Sequence, residues 1–241
     1  GSLFRRVERE IRSDIYLTAI SWRKSRAYST VFTWSERAGI PFSGFRRLLP
    51  SNVRFVTMFQ SWSKRQEVTL TRLGLFPVMD AIIVHCESMK RNLIKLGAPA
   101  EKTHVIHYSI DQEFFSPQAG LTPEPGRIVS LGETRSRDYA SLFQAIDGLP
   151  VRLEVAGYGH WYAREKNNTL KEKIPANVSI SRRLTHLELR DFYARSAFVV
   201  LPVQDLVYSA GATAALEAGS MARAVIAFHS QGIADYIIDG E

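Results

Sequence analysis

Short apolar runs alternate with amphipathic stretches along most of the chain. Ten runs read as strands: 14–20, 30–34, 53–59, 81–85, 104–108, 127–131, 151–156, 177–180, 198–203 and 224–228. Several, such as Ala81-Ile-Ile-Val84 and Phe198-Val-Val-Leu201, are continuous Val/Ile/Leu runs, the pattern of strands covered on both faces of a parallel sheet. Between them, 62–76, 88–96, 139–146, 162–173, 187–195 and 213–221 space their apolar residues as helices do. Strand–helix alternation of this length predicts an α/β protein built from doubly wound parallel sheets.

One stretch interrupts the alternation. Ser116-Pro-Gln-Ala-Gly-Leu-Thr-Pro-Glu-Pro-Gly126 concentrates prolines and glycines, which break both element types and suit a connection between domains. The expectation is two Rossmann-like domains, 1–117 and 126–241, joined by a linker at 118–125. Ligands of such sheets bind beyond the carboxyl ends of the strands, so a cleft between the two domains is the expected site. The chain has no starting Met, opens in a helix-like segment and stops at Ile238-Asp-Gly-Glu241, so it reads as a fragment truncating both domains.

Composition narrows the class. The 241 residues are 45% hydrophobic and 23% charged, which are globular values. The single cysteine, Cys86, forms no disulfide within the chain and fits a reducing, cytoplasmic location. No run approaches the ~18 apolar residues of a membrane span. Gly1-Ser-Leu-Phe-Arg-Arg6 is followed by charged residues, so it is no signal peptide. The net charge of +7 is uneven: residues 1–72 hold 14 Lys/Arg against 5 Asp/Glu, residues 73–241 hold 17 against 19. A basic first third interleaved with aromatics suits anionic lipid, nucleic acid, or simply a solvated face over an aromatic core.

The segment Gly211-Ala-Thr-Ala-Ala-Leu-Glu217-Ala-Gly-Ser-Met-Ala-Arg-Ala-Val-Ile-Ala227 carries the most chemistry. It reads as a turn, a helix and a buried strand. A helix start presents unpaired N–H groups and partial positive charge to a phosphate, and Glu217, more than a turn further on, can accept hydrogen bonds from sugar hydroxyls. By spacing alone the same segment also fits an ordinary helix–strand unit with a solvated Glu.

Three stretches together resemble the GT-B glycosyltransferases of family 4 (glycosyl transferases group 1). They are 80–117, with Asp111 and Phe115-Ser-Pro117; Val129-Ser-Leu-Gly132 followed by Arg135 and Arg137, with Leu153-Glu-Val-Ala-Gly157; and 211–241, with Leu216-Glu217-Ala218 and Gly232-Ile-Ala. The resemblance implies a GT-B fold and transfer of a hexosyl-type sugar from a nucleoside diphosphate sugar to an acceptor hydroxyl. It further implies retention of configuration, no bound metal or other cofactor, and a glycan or lipid-linked acceptor. In that reading Arg137 stands where the family has a phosphate-binding Lys, with Arg135 beside it. Gly211, Ala212 and Thr213 face the diphosphate, Glu217 binds the ribose hydroxyls, and Arg183 and Leu184 lie by the base. Two positions depart from the family pattern. Ser209 replaces the first Glu of Glu-x7-Glu, which leaves Ser209 and Asp205 as the candidates near the transferred sugar and no assigned catalytic residue. Glu133 replaces an Arg after Gly132.

Other constellations weigh less. His85-Cys86-Glu87 alternates across a strand and has no second cluster at zinc spacing, so no metal site is expected. Gly157-Tyr-Gly159-His160 lacks the rest of a dinucleotide fingerprint. Gln60, Trp62 and Lys64 read as a loop and helix start, with an acceptor-side role as the lesser reading. A nucleotide-sugar epimerase and a non-catalytic nucleotide-sugar-binding module remain as alternatives. Nucleic-acid binding lacks any reading motif, whereas peripheral docking of residues 1–72 on an anionic membrane, at its inner face, is expected.

Overall fold

A computed structural model describes residues 8, 13–49, 51–132, 136–157, 174–181 and 183–240. The chain divides into two compact units, 1–107 and 108–241.

The first unit is a four-stranded parallel sheet in the order β1-β2-β3-β4, with β1 Thr30–Thr33, β2 Arg54–Met58, β3 Ala81–Val84 and β4 Thr103–Val105. Its helices are α1 Ile15–Ser25, α2 Glu36–Leu48, α3 Lys64–Arg72 and α4 Glu87–Lys95. The continuous apolar runs form the central strands as expected: Phe55, Ile82 and Val84 are fully buried. Segment 14–20, expected as a strand, is instead the start of α1. Its β-branched residues suggested a strand, but its buried positions, Thr18, Trp22 and Ser25, recur at helical period. What holds it is α2. Pro41, inside α2, has no N–H to give the carbonyl of Arg37. The amide of Asp14 takes that place at 2.9 Å, and the Asp14 carboxylate pairs with the Arg37 guanidinium at 2.8 Å. Gly39 lets α2 lie against the sheet, where a side chain would strike Thr57.

The second unit is a five-stranded parallel sheet, order β7-β6-β5-β8-β9, formed by β5 Arg127–Leu131, β6 Arg152–Ala156, β7 Val178–Ile180, β8 Phe198–Leu201 and β9 Ala224–Ala227. Its described helices are α5 Tyr139–Ile146, α6 His186–Ala194 and α7 Ala212–Ser220. The chain runs outward from β5 through β6 to β7, then returns to place β8 on the other side of β5. The carboxyl ends of β5 and β8 are therefore the point where the winding reverses, the place such sheets bind ligands. Both units are parallel α/β sheets, as the alternation of strands and helices predicts.

The sequence places the first domain's end at 117, whereas the compact units divide at 107/108. Residues after 107 pack with the second unit: Phe115 is buried in its core beside Tyr193 and Ala218, and its carbonyl accepts from the Ser220 hydroxyl. The Pro/Gly-rich stretch is tied there as well, through Glu124, which pairs with Arg152 at 2.8 Å. Composition marks where helices and strands are broken, not which core the broken segment packs against. The helix expected at 162–173 lies outside the described residues.

Candidate nucleotide-sugar site

The site is built where β5 and β8 end. Gly132 follows β5 with φ near +139°, and two hydrogen bonds join the loops leaving the two strands. The Asp138 amide donates to the Pro202 carbonyl at 2.6 Å and the Gln204 amide to that of Ser136 at 3.0 Å. Between them Arg137 forms a short antiparallel bridge with Val203. Asp138 then caps α5 by accepting from the Ser141 amide at 3.1 Å.

The Arg137 side chain is half-buried. Its Nε donates to the Leu131 carbonyl at 3.1 Å and its Nη1 to the Ser136 hydroxyl at 3.2 Å. Two glycines make room for it. A Cβ on Gly132 would lie 2.7 Å from Arg137 Nε, and one on Gly211 would lie 3.5 Å from Nη2. Among the described residues no carboxylate pairs with this guanidinium. Burial lowers its pKa from the usual arginine value, and the hydroxyls of Tyr139, Tyr193 and Tyr208 offset part of that. The result is a cation held in place by neutral partners.

Gly211 begins α7 in the left-handed conformation, φ near +90°, and no side chain caps this helix. The Ala212 amide is used locally, bonding the Ser209 carbonyl at 3.3 Å. The uncapped N-terminus therefore points its remaining amides and its dipole toward the face where Arg137 lies. Ala212 is buried and Thr213 exposed.

Further along α7, Glu217 is half-buried and accepts a 2.8 Å hydrogen bond from the Tyr193 hydroxyl of α6. Burial raises the pKa of Glu217, with the Tyr193 bond and the charge of His186 opposing. Tyr193 is itself fully buried, and its own pKa is raised first by burial and then by Glu217. It interacts with both Glu217 and Arg137, so it joins the two ends of the site. Nothing in the sequence linked Tyr193 to Glu217. Its position on the buried face of α6 reads as plain core.

The remaining candidates divide. Ser209 lies beside the helix start, and its hydroxyl oxygen is buried with no partner among the described residues. The Asp205 carboxylate is exposed and accepts from the Gln231 amide at 3.0 Å, which ties the 205–211 loop to the segment after β9. The Ser230 hydroxyl fastens the same loop by accepting from the Leu206 amide at 3.2 Å, and Gly232 lies so close under the Tyr208 carbonyl that any side chain would collide with it. Leu184 packs on the second core while Arg183 is exposed. Arg135, Glu133, Gly159 and His160 lie outside the described residues. In the first unit Gln60 and Trp62 bond to the helices beside their loop: the Gln60 backbone amide donates to Glu36 of α2 at 3.0 Å and the Trp62 indole to Glu67 of α3 at 3.3 Å. Lys64 pairs with the same Glu67 at 2.5 Å. Among the described residues no group of three His, Cys, Asp or Glu side chains is arranged around a metal-sized space.

Residues 111–241 match the family described as glycosyl transferases group 1, a span that coincides closely with the second unit. The chain belongs to that family. Solved structures share the fold. HepE from Anabaena, determined with UDP-glucose, aligns over 93% of this chain and 66% of its own, with 13% identity and a TM-score of 0.75. Sucrose-phosphate synthase from Thermosynechococcus elongatus aligns over 88% of this chain and 59% of its own, with 17% identity and a TM-score of 0.71. A glycosyltransferase from Rickettsia africae aligns over 91% and 62%, with 16% identity and a TM-score of 0.67. The chain thus spans about two thirds or less of the length of these structures. By sequence, no curated protein matches it.

Proposed function

We propose that the second unit binds a nucleoside diphosphate sugar and that the protein transfers the sugar to an acceptor hydroxyl. The observation that carries this reading is Arg137. It is a cation with no carboxylate partner among the described residues, set between two glycines at the reversal point of the sheet, beside an uncapped helix N-terminus. A half-buried cation without a carboxylate partner is costly unless an anion completes it, and a diphosphate supplies that anion in bidentate form.

In this arrangement the diphosphate lies over Gly211, Ala212 and Thr213, with Arg137 and Arg135 as its cations. Glu217, positioned by Tyr193, accepts from the ribose hydroxyls, and the base lies toward Arg183 and Leu184. On transfer, the bond from the sugar's anomeric carbon to the diphosphate oxygen breaks and its electron pair leaves on the diphosphate. A new bond forms to the acceptor oxygen, which loses its proton. The growing charge on the leaving group falls where Arg137 and the helix amides are already oriented, and fixed dipoles of this kind stabilise a transition state without reorganising. The reading extends to a hexosyl sugar, retention at the anomeric carbon, stabilisation of the leaving group by protein groups instead of a metal, and a glycan or lipid-linked acceptor in the cytoplasm. HepE, solved with UDP-glucose, supports the donor class.

One observation favours a second reading. Ser209 presents a hydroxyl where the family resemblance expects a carboxylate near the transferred sugar, which points to a module that binds the donor without transferring it. Incubating the protein with radiolabelled UDP-, GDP- and ADP-sugars and a panel of glycan and lipid acceptors separates the two. Labelled product supports transfer; saturable binding with no product across the panel supports the binding module. No binding of any nucleoside diphosphate overturns both.

A further inference from the structure

Parallel topology sends every helix of the first unit back to the same end of its sheet, the end at which the strands begin. The cations collect there. Arg26 follows α1, Arg46 and Arg47 close α2, Arg72 closes α3, Arg54 opens β2, and Lys102 precedes β4. The acidic groups on these same turns are Asp80 and Glu101. Asp80 is already used, pairing with Arg46 at 2.7 Å and accepting from the Phe55 amide at 2.7 Å. Arg47 and Lys102 are held in place by carbonyls, Arg47 by Gly74 at 3.2 Å and Lys102 by Pro77 and Met79 at 3.1 Å each. Such partners position a cation without neutralising it. The opposite end is mixed, with Glu36, Glu67 and Glu87 in the first turns of α2, α3 and α4.

Cations in a helix's last turn complement its dipole, and that alone would account for Arg46, Arg47 and Arg72. It accounts for Arg26 too, the C-cap of α1, but not for Arg54 or Lys102, nor for the apolar side chains that stand among them. Leu48 is 80% exposed, Tyr28 64% and Leu73 53%, all on the turns of this end. Arg26, Tyr28 and Asn52 line a shallow recess of about 400 Å³ between them. Large apolar side chains at loop tips, ringed by arginines, fit a surface that is apolar a few ångströms below an anionic layer. A nucleic-acid backbone offers the negative charge but nothing for the leucines.

We propose that this end of the first unit docks on an anionic lipid bilayer. Arg26, Arg47, Arg54, Arg72 and Lys102 sit at the headgroups, and Leu48, Leu73 and Tyr28 enter the interfacial layer. No helix among the described residues is long and apolar enough to cross a membrane. The proposal narrows the general attraction of a basic first third to one face, and it stands independently of the donor site.

Each cation held near an anionic surface strengthens binding roughly fivefold. The test is co-sedimentation of the whole chain with phosphatidylcholine vesicles, with and without about one third phosphatidylglycerol. The parent chain is expected to bind only the anionic vesicles, less so as salt is raised. Arg26→Glu with Arg54→Glu should weaken that binding at least ~20-fold. Leu48→Ser with Leu73→Ser should weaken it while leaving the salt dependence unchanged. The control pair Arg65→Glu and Lys90→Glu, near the other end of the sheet, should change it less than ~3-fold. Circular dichroism and a cooperative thermal melt confirm that each variant is folded. Equal sedimentation with both vesicle types, equal loss in the control pair, or binding to a fluorescent RNA oligomer with none to vesicles would each overturn the proposal.

Discussion

Among the described residues Arg137 has no carboxylate partner, and Glu217 accepts from the neutral Tyr193 hydroxyl. For Arg137 this predicts opposite effects on stability and binding. Arg137→Met leaves a half-buried apolar chain of similar length and should not lower the melting temperature of the free protein. It removes charge-assisted hydrogen bonds worth about 1.5–3 kcal/mol, so nucleoside diphosphate affinity should fall about 10- to 100-fold by calorimetry. Glu217 makes a pH-dependent case. Its pKa is raised in the folded chain, so the folded state holds its proton more tightly than the unfolded state does. Stability from this group is greatest below the ordinary carboxylate range and declines as pH rises through the folded-state pKa. Glu217→Gln abolishes the decline. The variant's advantage in melting temperature over the parent should be larger at pH 7 than at pH 4, while its affinity for a nucleotide falls at pH 7. Arg137 and Glu217 stand out in the sequence because Arg137 matches the position of a phosphate-binding Lys in the family pattern and Glu217 lies more than a turn beyond the glycine that starts a helix. Tyr193, which donates to Glu217, does not: a buried tyrosine on a helix face has no sequence mark that separates a plain core residue from one that holds a carboxylate.

At the scale of elements, the strands of both sheets were legible because continuous Val/Ile/Leu runs have few other uses in a chain of this class. The first two helices were not. α1 carries β-branched residues that favour strands, and α2 carries an internal proline and two glycines, so local propensity opposed both and tertiary contacts decided. The pairing of Asp14 with Arg37 and with the carbonyl freed by Pro41 is such a contact, visible only once the two helices are together. The start of α7 depends on backbone conformation. Gly211→Ala places a side chain in the left-handed region and against Val203, and should cost about 1–2 kcal/mol of stability in chemical denaturation. The edge joining β5 to β6 depends on charge. Arg127 makes a two-bond pair with Glu154, at 3.1 and 2.7 Å, which together with Arg152 lowers the Glu154 pKa. A lowered pKa gives stability above the ordinary carboxylate range that is lost as pH falls through the folded-state value. Arg127→Met should therefore destabilise by about 1.5–3 kcal/mol near neutrality and by less in acid, read from denaturation midpoints across that range.

At the scale of the whole molecule, the alternation of strands and helices gave the class, while the Pro/Gly-rich stretch, read as a linker, packs within the second unit. The position of the division was hidden because 108–125 packs by a few specific side chains, Phe115 and Glu124 among them, that composition does not distinguish from linker residues. Charge was legible in amount and not in placement: the basic first third is evident from counting, and its gathering at one end follows from parallel topology.

Titration of UDP-, GDP- and ADP-sugars into the whole chain, its Arg137→Met variant and its Glu217→Ala variant, followed by ligand-observed NMR, tests the central claim most directly. The account predicts saturable binding of at least one donor to the parent chain. Glu217→Ala should weaken that donor at least ~10-fold, with the loss confined to ligands that keep their ribose hydroxyls, and Arg137→Met should weaken the donor and inorganic diphosphate alike. Binding that neither substitution alters, or no binding by a chain shown to be folded, would contradict it.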